Sequence, residues 1–442
     1  MPRNVIFILA DEHRWDAVGW ENPLVRTPNL DRLAARGVRF NNCFCAAQAC
    51  VPSRANILTG RYNEEAGMVS NDTILGRHER TWPGHLDEHG WQTVAVGRTH
   101  HIDKGFGSVI RVPSGRSYPM NCHDDKMQAF WREDAYVGPS DASFEDYYET
   151  AITSTALGFL REMHRGEEPF ALYVGYLAPH GALTPPEPYW SMYEGLDIPM
   201  PEDTLSPQDI IENWSKRLGF EGVTQDRYNR IVRGYYGMIS TVDACVGMIL
   251  DEVDRLGIAE DTMIVYTSDH GEMLGDKGLY VKGYGYEPSI GVPLLVSCPG
   301  TLPEGAVSDA LIELTDIGPT IIEALDAPPM PCSGKSALSV FKGDSDKHRD
   351  WIYSSLGCGQ VCRNEGYKWI HRRVDGKCVD EVYDMSADPR ENNNIADTPE
   401  GREVMLKFYP DLLDFLSAHW HRPVTDFDPE AVQPRLIPFF TT

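Results

Sequence analysis

Apolar runs of strand length alternate with amphipathic stretches of helical period along most of this chain. Val5-Ile-Phe-Ile-Leu-Ala10 is apolar at every position, which predicts an opening strand covered on both faces. Thr27 to Arg36 reads as a capped helix stopped at Gly37, and Thr93 to Gly97 as a further short strand. Ser143-Phe-Glu-Asp146 resembles a capping box that opens a helix through about Met163, followed by a strand from Phe170 to Leu177. From Tyr228 to Leu256, Ile231, Val232, Tyr235, Met238, Ile239, Val242, Val246, Ile249, Leu250 and Val253 keep helical period, and Thr262 to Thr267 is the next buried strand. Strand and helix in alternation predict an α/β layered domain.

After Gly343 the texture changes to short strands at Trp351 to Ser354, Gln360 to Arg363 and Tyr367 to His371, with a helix near Val404 to Ala418. We therefore expect a large domain over 1–345 and a smaller C-terminal α+β subdomain over 346–442, because 442 residues exceed what one core usually organises. Two stretches rich in Gly, Pro and polar residues, about Lys104 to Ala142 and Trp190 to Asp226, have the length of lids or pocket walls and are where substrate choice is expected to reside. The tail from His421 ends Leu436-Ile-Pro-Phe-Phe440, an apolar arm costly to leave in water. It is expected to clasp its own domain or a second copy in a homo-oligomer.

A formal charge of -26 argues against nucleic acid and against anionic membranes as partners. Met1-Pro-Arg-Asn enters the first strand at once, with no signal peptide, and ten cysteines without export signals suit free thiols in a reducing compartment. A cytoplasmic location is expected. Cys43, Cys45 and Cys50, like Cys358, Cys362 and Cys378, lack the paired spacing of structural zinc sites and read as small hydrophobes.

Cys50 has a second reading. In Cys50-Val-Pro-Ser-Arg54, Pro52 fixes one backbone dihedral and Ser53 can cap a helix running from Arg54 towards Leu58. Residue 50 is then at a positive helix terminus that welcomes an anion. With Leu58-Thr59-Gly60 the segment resembles the signature of type I, formylglycine-dependent sulfatases, in the alkaline phosphatase-like superfamily, C-x-P-S-R-x-x-x-L-T-G, at every fixed position. The resemblance implies an α/β/α sandwich with a mostly parallel central sheet. It also implies a maturase that oxidises Cys50 to formylglycine, whose hydrate supplies the nucleophilic hydroxyl.

Other segments recur in the order of that family, from Val5 to about Ala396. Asp11-Glu12 follows the first strand and Asp269-His270-Gly271-Glu272 follows a later one. In layered α/β sheets, sites form beyond the carboxyl ends of strands, so these clusters can converge on one divalent cation, Ca²⁺ or Mn²⁺. Asp11, Glu12, Asp269 and His270, with Cys50, are the implied ligands, Glu12 less securely because relatives have Asp or Gln there. Gly97-Arg98-Thr99-His100 resembles the family Gly-Lys-x-His with Arg98 in place of lysine, and Ala178-Pro179-His180 resembles its Pro-His. Lys282 matches the lysine that contacts the transferred anion, whereas Gly291 stands where relatives often carry Arg.

The implied reaction is hydrolysis of a small anionic sulfate monoester. The cation, Lys282, Arg98 and Arg54 neutralise charge, His180 and Lys282 assist the leaving oxygen, and His100 removes the proton that lets sulfate depart. Phosphonate monoester or phosphodiester hydrolysis within the same superfamily is the alternative, since the two esters share geometry. A metal-binding scaffold without catalysis is the reading from another class.

Overall fold

The computed structural model describes residues 1–100, 102–112, 137–201, 222–356, 359–374 and 377–419. The apolar tail and most of the two expected lid stretches lie outside these residues. In chain order the strands are β1 (Asn4–Asp11), β2 (Gly37–Phe40), β3 (Cys43–Phe44), β4 (Gln92–Gly97), β5 (Ser108–Ile110), β6 (Phe170–Pro179) and β7 (Thr262–Ser268). They continue with β8 (Leu294–Ser297), β9 (Ala306–Ser308), β10 (Ile312–Glu313), β11 (Ile352–Ser355), β12 (Gln360–Arg363), β13 (Tyr367–Val374) and β14 (Lys377–Asp384).

Among the described residues eight strands form the main sheet, in the order β5-β4-β6-β1-β7-β8-β2-β9. Its pairs are parallel except those of β8, which runs against both β7 and β2. The chain between β7 and β8 carries a long loop and one helical turn, Glu287–Ile290, in place of a crossover helix, so it returns in the opposite direction.

The unbroken apolar run of β1 explains the layering. Val5, Phe7 and Leu9 face one core, with Val51, Ala55 and Leu58 of the helix Cys50–Thr59 and with Ile317 and Ile321 of the helix Ile317–Ala324. Ile6, Ile8 and Ala10 face the other, with Ile152 and Leu160 of Tyr148–His164 and the apolar stripe of Gln225–Leu256. Helices therefore cover both faces, giving the sandwich expected. The strands β11 to β14 form an antiparallel meander packed through Trp369 and Val382 on Val404, Phe408 and Leu412 of the helix Pro399–His419. No helix among the described residues is long and apolar enough to cross a membrane.

Three capping expectations need correction. The signature helix begins at Cys50 itself after Ala49, and Ser53 lies inside it, donating to the Asp269 carbonyl at 2.5 Å. Thr27 does not cap its helix through its side chain: the hydroxyl accepts from Gly19 N, and Asp243 receives the amides of Asn29 and Leu30 at 3.0 and 2.8 Å. Ser143 and Asp146 bond to each other in a turn, and the helix opens later, at Tyr148. In each case a distant acceptor, or an earlier turn, outcompetes the local cap.

Register places the chemistry. Ala10 pairs with Ser268, Asp11 with Pro179 and Gly97 with Gly175. The residues that follow β1, β4, β6 and β7 thus emerge side by side at one edge of the sheet.

Candidate functional site

Four buried groups converge at that edge. The ligand atoms of Asp11, Cys50, Asp269 and His270 all lie within 4.8 Å of one another. Cys50 Sγ is 3.1 Å from His270 Nε2 and 3.6 Å from Asp11 Oδ1. His270 donates Nδ1–H to the Gly271 carbonyl at 3.0 Å, which leaves the Nε2 lone pair aimed at the cluster. Two carboxylates, an imidazole lone pair and position 50, all enclosed, fit a divalent cation with mainly oxygen ligands.

Arg54, one turn along the signature helix, holds this group together. Its Nε donates to Asp269 Oδ2 at 2.8 Å and its Nη2 to Asp11 Oδ2 at 3.1 Å. Nη1 reaches the Arg98 carbonyl and Tyr173 OH, at 2.8 and 3.1 Å. Burial works against its charge, yet Tyr173, Asp269 and Asp11 raise its pKa further. At 1% exposure its donors are given to the two carboxylates, the Arg98 carbonyl and the Tyr173 hydroxyl.

Arg98 shares Asp11, with Nε on Oδ2 at 2.9 Å, and its Nη2 donates to His100 Nε2. Burial opposes ionisation of Asp11, but His180, Arg54 and Arg98 hold it well below the usual carboxylate range. Burial and the Arg98 guanidinium push His100 down to about 3, leaving it a neutral base. The Cys50 thiol is pushed up to about 12 by burial and by Asp11. As an unmodified thiol it is a poor nucleophile.

Glu12 does not join the four. Its backbone is left-handed (φ 73°), and its carboxylate lies in a neighbouring group with Asp11 and His180. The carboxylate meets Lys282 Nζ at 3.1 Å and His180 Nε2 at 3.6 Å. Glu12, expected as a fifth ligand, thus groups with Asp11 and His180, and Asp11 is shared between this group and the other four. His180 is fixed by its own amide on the Asp11 carbonyl at 3.0 Å and by Nδ1 on the Gly181 carbonyl at 2.9 Å. Burial and the Lys282 ammonium lower its pKa well below the ordinary value. Lys282 keeps its charge: burial opposes it, but Cys50, Glu12 and Asp11 raise its pKa.

Several contributors were not legible in the chain. Asn71 Oδ1 accepts from Val51 N at 3.0 Å, capping the signature helix from a loop. Tyr173, apolar in periodicity, presents its hydroxyl to Arg54 and Arg98. Glu272, already singled out in Asp269-His270-Gly271-Glu272, has a contact the sequence did not show: its Oε1 takes the amides of Leu274 and Val281 at 2.9 and 2.6 Å, closing the loop that bears Lys282. Gly291 also acquires a reason, since a Cβ there would lie 2.6 Å from the Trp15 ring. No cationic side chain fits at that point.

Asp11, Cys50, Asp269 and His270 thus form a buried group that could hold a metal ion, at the N-terminus of the signature helix and the carboxyl edge of this sheet. Residues 3–327 match the family model Sulfatase, and residues 275–417 match the model N-sulphoglucosamine sulphohydrolase, C-terminal. The chain belongs to the sulfatase family and is an enzyme that hydrolyses sulfate esters. It is 27% identical to an arylsulfatase of Clostridium perfringens, covering 91% of this chain and 92% of that one. Identity is also 27% to an N-acetylglucosamine-6-O-sulfatase of Bacteroides thetaiotaomicron, covering 97% and 88%. A crystal structure of a phosphonate monoester hydrolase of Agrobacterium radiobacter shares the fold, with a TM-score of 0.80 at 22% identity over 95% of this chain and 96% of that one.

Proposed function

We propose that this sulfatase works on a small anionic sulfate monoester through formylglycine made from Cys50 by a maturase, with one divalent cation on Asp11, Cys50, Asp269 and His270. Ca²⁺ fits the oxygen-rich set ahead of Mn²⁺. The observation that carries this reading is Cys50 Sγ, 3.1 Å from His270 Nε2 at the first residue of the signature helix. The hydrated aldehyde supplies a nucleophilic hydroxyl and a second hydroxyl whose deprotonation releases sulfate. The cation supplies Lewis acidity at that position.

The chain's own residues divide the remaining work. Arg54 and Arg98 keep Asp11 ionised and oriented. Lys282 offers the one ammonium among these groups to the transferred anion and delivers a proton to the leaving oxygen, assisted by His180, which meets the same Glu12 carboxylate. His100, neutral and adjacent to Asp11 at 3.4 Å, accepts the proton whose removal ends the cycle. The division of the chain at 345, the cytoplasmic location and a homo-oligomer formed through the tail belong to the same reading.

A second substrate class has specific support. Two phosphonate monoester hydrolase structures superpose with TM-scores of 0.80 and 0.81, and a relative at 27% identity is described as a multifunctional alkaline phosphatase superfamily protein. The first test is fragmentation mass spectrometry of the tryptic peptide Phe40 to Arg54, from protein co-expressed with a formylglycine-forming maturase. Aldehyde at position 50 is expected, and unmodified thiol under those conditions would overturn the mechanism. Rates of the matured enzyme on an aryl sulfate and an aryl phosphonate monoester then separate the two classes.

A further inference from the structure

The loop from Met273 to Glu287, which bears Lys282, is held in an unfavourable backbone. Leu274, Lys277 and Val281 have φ of 48°, 57° and 61°, a region costly for side chains and most of all for β-branched valine. Such a conformation persists when its surroundings over-determine it. Glu272 ties the loop from inside, through the amides of Leu274 and Val281.

From outside it is gripped at both ends by residues of the C-terminal meander and the turn after it. At the near end Lys277 Nζ donates to the Glu391 carbonyl and lies 4.9 Å from the Tyr286 ring. At the far end Lys368 Nζ, fully buried, reaches Glu391 Oε1 at 2.6 Å, Glu287 Oε1 at 2.8 Å and the Gly285 carbonyl at 3.3 Å. Glu391 Oε2 accepts the Glu287 amide at 2.9 Å, and Arg363 Nε meets Glu287 Oε1 at 2.7 Å.

Burying this many charges is an expensive way to join two layers, because apolar residues of the same volume give comparable stability without desolvating ions. What the ionic set adds is direction, since each charge–charge and charge–amide contact has one geometry. We propose that Lys368 and Glu391 are positioning residues that set the loop so that the Lys282 ammonium points at the reacting anion. The C-terminal subdomain thereby completes the active site without touching substrate. This rests on the reading that Lys282 contacts the anion.

The test compares K368M and E391Q with L412A in full-length, formylglycine-bearing enzyme. Leu412 packs the same subdomain through its helix, away from the clamp. Hydrogen exchange of the 273–287 peptides should accelerate in K368M and E391Q and stay at the wild-type rate in L412A. With 4-nitrophenyl sulfate, kcat should fall about 10- to 100-fold in both clamp variants, with KM changed much less. At a matched loss in melting temperature, L412A should stay within about twofold of wild type.

In a K282A background, K368M should cost no more than about twofold further, because the residue it positions is gone. Unchanged exchange in both clamp variants overturns the proposal, as does a full multiplicative loss on top of K282A. If K282A itself keeps the wild-type rate, the assignment of Lys282 fails, and the exchange data still report on the clamp. If K368M does not fold, E391Q, which keeps the shape of the side chain, carries the comparison.

Discussion

At the scale of single residues, the site is an arrangement of charges that would repel one another without Arg54. Asp11 and Asp269 are fully enclosed, and both rest on one guanidinium. Arg54→Ala should destabilise the protein by about 3–5 kcal/mol, because it strands the buried Asp269 carboxylate and leaves Asp11 only the Arg98 guanidinium. Urea unfolding of the metal-free protein measures this, and a loss below about 1 kcal/mol would contradict the account. Cys50→Ser keeps a hydroxyl but not the second one that expels sulfate. On a sulfate ester it should release one equivalent of alcohol and become heavier by one sulfo group in intact-mass spectra, whereas sustained turnover would disprove the role given to the aldehyde.

At the scale of elements, strand ends supply the residues and helices fix their angles. Glu149, in the first turn of Tyr148–His164, accepts the Ala178 amide at 3.0 Å and so steadies the end of β6 just before His180. Burial pushes its carboxyl up to about 7. A carboxyl raised in the folded state contributes stability that is complete below the unfolded value near 4.5 and is lost as pH rises through about 7. Wild type should therefore lose stability relative to Glu149→Gln between pH 5 and 8, by an amount on the order of 3 kcal/mol. Parallel thermal melts across that range check the sign, and equal slopes for the two proteins would refute it.

Across the whole molecule, the C-terminal meander is joined to the larger part of the chain by buried ion pairs as well as by apolar packing, here at β10, which pairs with β3. Arg349 meets Asp316 and, at 3.3 Å, Glu313, while Glu313 Oε1 accepts the Tyr353 amide of β11 at 2.6 Å. Arg349→Met leaves both acids without their cation and should cost several kcal/mol. Limited proteolysis should then cut the meander β11–β14 before the main sheet, with wild type resistant under the same conditions. Cleavage spread evenly over the chain would show that the junction is not the weak point.

Layering, strand order at the level of alternation, and the chemical residues were legible because each has a local signature. An unbroken apolar run marks β1, helical period marks Gln225–Leu256, and spacing around Cys50 and Asp269-His270-Gly271-Glu272 marks the candidate site. The direction of each side chain was not local. Ser53 was expected to cap a helix that in fact begins at Cys50, since Ser53 finds an acceptor 216 residues away. Glu12 was expected to share an ion with Asp11, and the fold sets its carboxylate near Asp11 and His180 and against Lys282. Asn71 and Tyr173 gave no distinguishing signal, because their roles depend on groups that only the folded sheet brings near. Sequence by itself thus determined which groups exist and which elements carry them, through periodicity and spacing. Tertiary structure alone decided which carboxylate binds which cation, because those choices are made by contacts between residues from 43 (Arg54 and Asp11) to 270 (Lys282 and Glu12) positions apart, where local propensity has no influence.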